Sequence, residues 1–138
     1  MKKLIFLLLT STLLISCRQN PTELQQNLSG YWEIEKVITL EGDEKQFKIS
    51  TIVDYINIEG DKGTRTKVSP QLDGTFKNNG TVETFTVDGS SGELVLRYQT
   101  PQHTWTEKVK QATQEKLIVV NNEGKEYYYK RFTKFTLE

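Results

Sequence analysis

Tyr31-Trp32-Glu33-Ile34-Glu35-Lys36-Val37-Ile38-Thr39-Leu40 sets the rhythm for the rest of the chain. Trp32, Ile34, Ile38 and Leu40 share one parity, and Glu33, Glu35 and Thr39 share the other. A period of two puts alternate side chains on opposite faces of a strand, so the stretch predicts a half-buried strand with Lys36 as its exception.

Downstream the same period returns in short runs divided by turn residues. Glu41-Gly42-Asp43-Glu44 closes the first run, and residues 47–59 hold a second, bent near Ser50. Gly60-Asp61-Lys62-Gly63 turns that one; residues 64–69 follow and stop at Pro70, which a central strand would not accept. Residues 75–77 and 81–83 flank Asn78-Asn79-Gly80, a hairpin signal because Asn and Gly both tolerate positive φ. Phe85 and Val87 share a side; after Gly89-Ser90-Ser91-Gly92 come Leu94, Leu96 and Tyr98, ended by Thr100-Pro101. Trp105, Glu107 and Val109 form the next face, before a polar bend at residues 111–115. Residues 117–121 and 125–133 are the last two runs, divided by Asn122-Glu123-Gly124. No helical period recurs after residue 30. The reading is all-β: about eight short antiparallel strands in up-and-down order, enough to close a barrel without free edges.

Upstream, Pro21-Thr22-Glu23-Leu24-Gln25-Gln26-Asn27-Leu28 predicts a short helical turn, with Leu24 and Leu28 on one face and Ser29-Gly30 ending it. Met1-Lys2-Lys3 followed by the mostly apolar residues 4–16 is too short for a membrane span, which needs about 20 residues, and has the make-up of a signal peptide. Leu14-Ile15-Ser16-Cys17 resembles the bacterial lipobox. That resemblance implies cleavage before Cys17, diacylglycerol on its sulfur and an N-acyl chain; several chains anchor stably where one binds marginally. The alternative is a secretory peptide with a chance or buried Cys. Residues 1–16 are thus a signal peptide, 17–28 a lipidated tether with its helical turn, and 29–138 the barrel. Arg18 after the Cys makes the outer membrane the expected address in the cell envelope.

Composition narrows the function classes. The 138 residues carry 18 basic and 18 acidic side chains, one His and one Cys, so neither a basic nucleic-acid face nor an internal disulfide or zinc cluster is expected. Loss of residues 1–16 takes the chain to 122 residues and removes Lys2 and Lys3, leaving it mildly acidic. With its one Cys acylated it would have no thiol for catalysis.

Gly30-Tyr31-Trp32 resembles the Gly-x-Trp signature of lipocalins, in which the Trp closes one barrel end under an Arg from the last strand. Arg131 stands in the last strand here. The likeness is closer to the small lipocalin-like lipoproteins of flavobacteria and their relatives. It runs through Gly63-Thr64-Arg65-Thr66-Lys67-Val68-Ser69-Pro70, Asp73-Gly74-Thr75-Phe76, Trp105-Thr106-Glu107 and Tyr127-Tyr128-Tyr129-Lys130-Arg131-Phe132. The resemblance implies a lipocalin-like barrel in which Gly30, Trp32 and Arg131 serve closure. The chain is shorter than typical lipocalins and lacks their disulfide and C-terminal helix. Trp32 as a plain core residue is the alternative.

A barrel of eight strands either fills with side chains or holds one small ligand. Tyr127 and Tyr129 share the parity of Arg131, and Trp105 shares that of Glu107. These four are the candidate contacts for a small hydrophobic or amphiphilic molecule, with core packing as the alternative for the tyrosines. An inward Arg could bind a carboxylate, or Glu107 could neutralise it; Lys36, Arg65 and Arg97 are further candidates for inward charge, against solvated outer positions. No nucleophile elbow or second His appears. Asp54, Glu59, Asp61 and Asp73 match no calcium loop, and an enzyme would need a convergence such as Glu107 with Asp54. No cofactor, metal or catalytic residue is expected. A filled barrel that docks to an envelope protein is the competing function.

Overall fold

Asn20 caps the first helix by accepting the Glu23 amide at 2.9 Å, with Pro21 at the first helical position, where a missing N–H costs nothing. The computed structural model describes residues 18–134. The expected signal peptide (1–16), lipidated Cys17 and the last four residues of the expected barrel range lie outside the described residues. Helix α1 (Pro21–Gln26) leads to nine strands: β1 (Gly30–Ile38), β2 (Glu44–Gln46), β3 (Val53–Glu59), β4 (Lys62–Pro70), β5 (Phe76–Asp88), β6 (Leu94–Gln99), β7 (Thr104–Ala112), β8 (Lys116–Asn121) and β9 (Glu126–Arg131).

From β3 to β9 each strand pairs antiparallel with the next, and β9 pairs back onto β1 to close the barrel. One edge of β1 is shared: Gly30–Trp32 face β3, and Lys36–Ile38 face the short β2. The expected up-and-down barrel of about eight strands is therefore the observed fold, with β2 as a three-residue addition. Leu24, Leu28, Trp32, Ile56, Phe85, Leu96, Tyr98 and Leu117 belong to its core.

Three local expectations need correction. The register between β1 and β9 slips between Ile34 and Lys36, so Glu35 is a bulge that flips the parity beyond it. Val37 then shares a face with Tyr127, Lys36 turns out over the Tyr128 ring, and Leu40 ends exposed beyond the strand. Asn78-Asn79-Gly80 makes no hairpin. Gly80 has no positive φ, and β5 runs straight through it, absorbing the extra residues as a second register shift against β4. The reversal comes earlier: Gly74 takes φ +82°, and Asp73 Oδ1 accepts the Thr75 amide at 3.0 Å. Gly63, expected in a turn, lies within β4, where a Cβ would collide with the Phe85 ring.

The chain enters at one end of the barrel. Gln19 exchanges two hydrogen bonds with the Ala112 backbone, 2.7 and 3.1 Å, and Arg18 pairs with Glu93 at 3.1 Å. Helix α1 packs on β6 and β7 at this end. The β6–β7 and β8–β9 connections lie at the opposite end and form the mouth. On the outer face, Phe76 stacks on Tyr31 at 4.0 Å, and Tyr31 on Tyr55 at 4.6 Å.

Candidate functional site

The closed end is built on Trp32. Its ring is fully buried, its Nε1 donates to Leu28 O at 2.8 Å, and the Arg131 guanidinium sits 3.9 Å from the ring centroid. Arg131 also donates from Nε to Gln114 O, from Nη1 to Ser29 O, and from Nη2 to Asn27 O and Thr113 O, at 2.9, 2.7, 3.0 and 3.2 Å. Gly30, at φ +133°, leaves room for that guanidinium, which a Cβ would strike. Gly30, Trp32 and Arg131, the three residues expected to serve closure, lie together at this end.

Inside the barrel the organising cation is Arg65 on β4. Its Nη2 lies 2.7 Å from Asp54 Oδ2 and 2.5 Å from the Tyr129 hydroxyl; its Nη1 lies 3.1 Å from Glu107 Oε2 and 3.3 Å from the Tyr98 hydroxyl. Lys67 reaches the other Asp54 oxygen at 2.9 Å. A buried ion pair survives only when the remaining donors and acceptors are filled. That holds here, because no buried side-chain polar atom among the described residues lacks a partner.

The two carboxylates feel this cation differently. Burial raises the Asp54 pKa, but the charges of Arg65 and Lys67, with their hydrogen bonds, outweigh it and hold the group below its ordinary range. Glu107 goes the other way: burial pushes it up, Arg65 only partly offsets this, and Glu83 and Asp54 add repulsion. Burial also raises Tyr98 and Tyr129, so both hydroxyls keep their protons.

Above the network the mouth holds a cavity of about 370 Å³, lined by His103, Trp105, Glu107, Asn121, Glu123 and Tyr127 among others. Three of the four candidate contacts, Trp105, Glu107 and Tyr127, therefore share one cavity. Tyr129 does not: it is buried deeper, against Arg65. Trp105 stacks on Tyr98 with ring centroids 4.8 Å apart. A larger cavity of about 930 Å³ lies on the outer face. Its walls include Thr64, Thr84, Gln99 and Thr104, which alternate with the inward row Gly63, Phe85, Tyr98 and Trp105.

Of the three further candidates for inward charge, only Arg65 points in. Arg97 pairs with Asp88 at 3.1 Å on the outside, and Lys36 with Glu44 at 3.5 Å. Glu107 does neutralise an inward Arg, as one alternative had it, but the Arg is 65 rather than 131. Glu107 and Asp54 converge on the two ends of that guanidinium. The unassigned hub had a signal in the sequence: Asp54 shares parity with Ile56 and Ile58, and an acid in an apolar row needs an inward cation. No group of three or more His, Cys, Asp or Glu side chains among the described residues is placed to hold a metal ion.

No protein-family model matches this sequence, and no curated protein matches it. Among solved structures, a lipocalin-like protein from Bacteroides uniformis ATCC 8492 is similar, with a TM-score of 0.49 and 14% identity over 77% of this chain and 99% of that one. An uncharacterized protein from Bacteroides eggerthii DSM 20697 has a TM-score of 0.46 and 12% identity over 75% of this chain and 98% of that one.

Proposed function

We propose that this chain is a lipid-anchored, non-catalytic binding module of the cell envelope that takes one small amphiphilic molecule at the barrel mouth. The observation that carries the reading is the meeting of Trp105, Glu107 and Tyr127 in a cavity of about 370 Å³, within the ~300–1,000 Å³ of small-molecule sites. The opposite end is plugged by Trp32, so entry is from one side. Absence of catalysis is supported by Asp54 and Glu107, whose oxygens are engaged by Arg65 and, for Asp54, also by Lys67 rather than free to act on a substrate. The membrane anchor is the acylated Cys17, and the outer membrane is the address.

The test is native mass spectrometry of the purified chain, followed by titration of the released molecules back onto it while Trp105 fluorescence is read against a Trp105→Phe control. A bound small molecule whose affinity drops in Tyr127→Ala supports the reading; a ligand-free chain that binds nothing from an envelope extract ends it. Mass of the N-terminal peptide checks acylation at Cys17.

A second reading, docking to an envelope protein through the outer face, is favoured by one specific observation. The interior below the mouth is filled by the Arg65 network, while the larger cavity, about 930 Å³, opens on the outside. Crosslinking from Thr84 or Thr86 in intact cells separates the two.

A further inference from the structure

Around Arg65, away from the closed end, the inward charges of the described residues do not cancel. Three carboxylates, Asp54, Glu83 and Glu107, face two cations, Arg65 and Lys67; Glu83 stands directly across from Arg65 in the β4–β5 register. At the rim Glu123 has its own partner, Lys125, at 3.5 Å. Glu107 is the carboxylate that reaches the mouth cavity, and both its oxygens approach a single nitrogen, Arg65 Nη1, at 3.1 and 3.4 Å. Asp54, by contrast, holds Arg65 with one oxygen and Lys67 with the other. An anionic head entering the mouth would have to displace one of these carboxylates to reach Arg65. A cationic head meets Glu107 without disturbing anything, beside an indole and a phenol ring whose π faces attract cations.

We infer that the mouth cavity takes the head of a small organic cation, set against the Glu107 carboxylate beside Trp105 and Tyr127. This rests on the binding function proposed above. The upward shift of Glu107 supports it, since burial and the neighbouring Glu83 leave that charge only partly compensated by Arg65.

Three probes of one shape and different charge test the inference on the full chain: choline, its neutral isostere 3,3-dimethylbutan-1-ol, and anionic 3,3-dimethylbutanoate. Calorimetric titration should show choline bound about tenfold more tightly than the neutral isostere, the scale of a desolvated cation–π contact. Butanoate should bind most weakly, and added salt should erode only the choline affinity. Glu107→Gln should remove the preference of the site for choline over the neutral isostere. Because Glu107 is buried and its substitution burdens folding, Glu83→Gln serves as the second variant: it lowers the interior negative charge and should narrow the preference. Equal binding of choline and the neutral isostere overturns the cation class and leaves the binding function standing. Butanoate bound as tightly as choline, or a preference unchanged in Glu83→Gln, overturns it as well. Binding of none of the three overturns the cation class, while the binding function itself stands or falls on the native mass spectrum and the envelope extract.

Discussion

Arg131 holds its guanidinium 3.9 Å from the centre of the Trp32 ring while four backbone carbonyls accept its hydrogen bonds. One side chain thereby ties the α1–β1 connection and the β7–β8 turn to β9, and the indole beneath it is sealed from water. Planarity matters as much as charge. Only a fork of several donors can face a ring and serve carbonyls from two directions at once.

Removal of the plug should therefore be costly. Trp32→Ala is expected to lose about 3–5 kcal/mol in urea unfolding, as for other buried aromatic truncations. Arg131→Lys keeps the charge but loses most of the carbonyl contacts. It should cost about 2 kcal/mol, with faster amide exchange at residues 27–30 and 113–114. A loss under about 0.5 kcal/mol for either would mean the closed end is held by something else.

Arg65 should behave as a hub whose removal is worse than its replacement. Arg65→Met leaves Glu107 buried without its cation, and such breaks cost about 3–5 kcal/mol. Adding Glu107→Gln to Arg65→Met should recover part of that loss, since the stranded charge is gone. Unfolding midpoints of the two single variants and the double variant check this. A double variant no more stable than Arg65→Met alone would mean that Glu107 gains little from Arg65.

The opposite shifts of the interior carboxylates predict opposite pH slopes. Glu107 is raised in the folded state, so the folded chain holds its proton more tightly and this group's contribution declines as pH rises from the ordinary carboxylate range through the folded pKa. Asp54 is lowered, so its contribution is present above the ordinary carboxylate range and is lost on acidification. The exposed Asp88 acts in the same direction as Asp54, with its pKa lowered to about 2 by the Ser90 hydrogen bonds and Arg97. Urea melts across pH should show Glu107→Gln gaining on the parent chain as pH rises through the Glu107 transition. A constant difference between the two would contradict the burial of Glu107.

Two glycines separate a turn from a strand. Gly74, at φ +82°, sits where a side chain is strained, so Gly74→Ala should destabilise by about 1 kcal/mol. Gly80 has an extended backbone, and a Cβ there meets only Lys67 Cβ at 3.5 Å, an ordinary contact. Gly80→Ala should leave stability unchanged or raise it by about 0.5 kcal/mol, by limiting the unfolded chain. Equal losses at both positions in thermal melts would restore a turn at Asn79-Gly80.

Those two positions also show where the sequence stops being readable. The barrel was legible because alternation survives in most strands, whereas Trp32 with Arg131 was legible only through the resemblance of Gly30-Tyr31-Trp32 to a known signature, not through spacing or closure. Bulges hide from this reading. The extra residue at Glu35 reverses every later parity in β1, which is why Lys36 looked like an exception and Leu40 like a core residue. Asn-Gly carries a strong local preference for reversal, yet pairing with β4 on both sides of it outweighed that preference. The Arg65 network was harder still. Trp105, Glu107 and Tyr127 could be grouped by parity, but which inward cation met Glu107 depends on distances across the barrel, and these depend on strand tilt rather than on spacing along the chain.

The two hydrogen bonds between Gln19 and the Ala112 backbone fix more than a tether. They hold the first described residues against the plugged end, and Cys17 directly precedes those residues in the sequence. With the acyl anchor proposed at that residue, the molecule would stand on the bilayer like a cup on its base, its opening turned to the water. Cargo would then arrive by diffusion through the aqueous compartment, not by sliding out of the leaflet beneath. A fluorophore at Gln102, on the mouth loop, should escape quenchers carried on lipid headgroups.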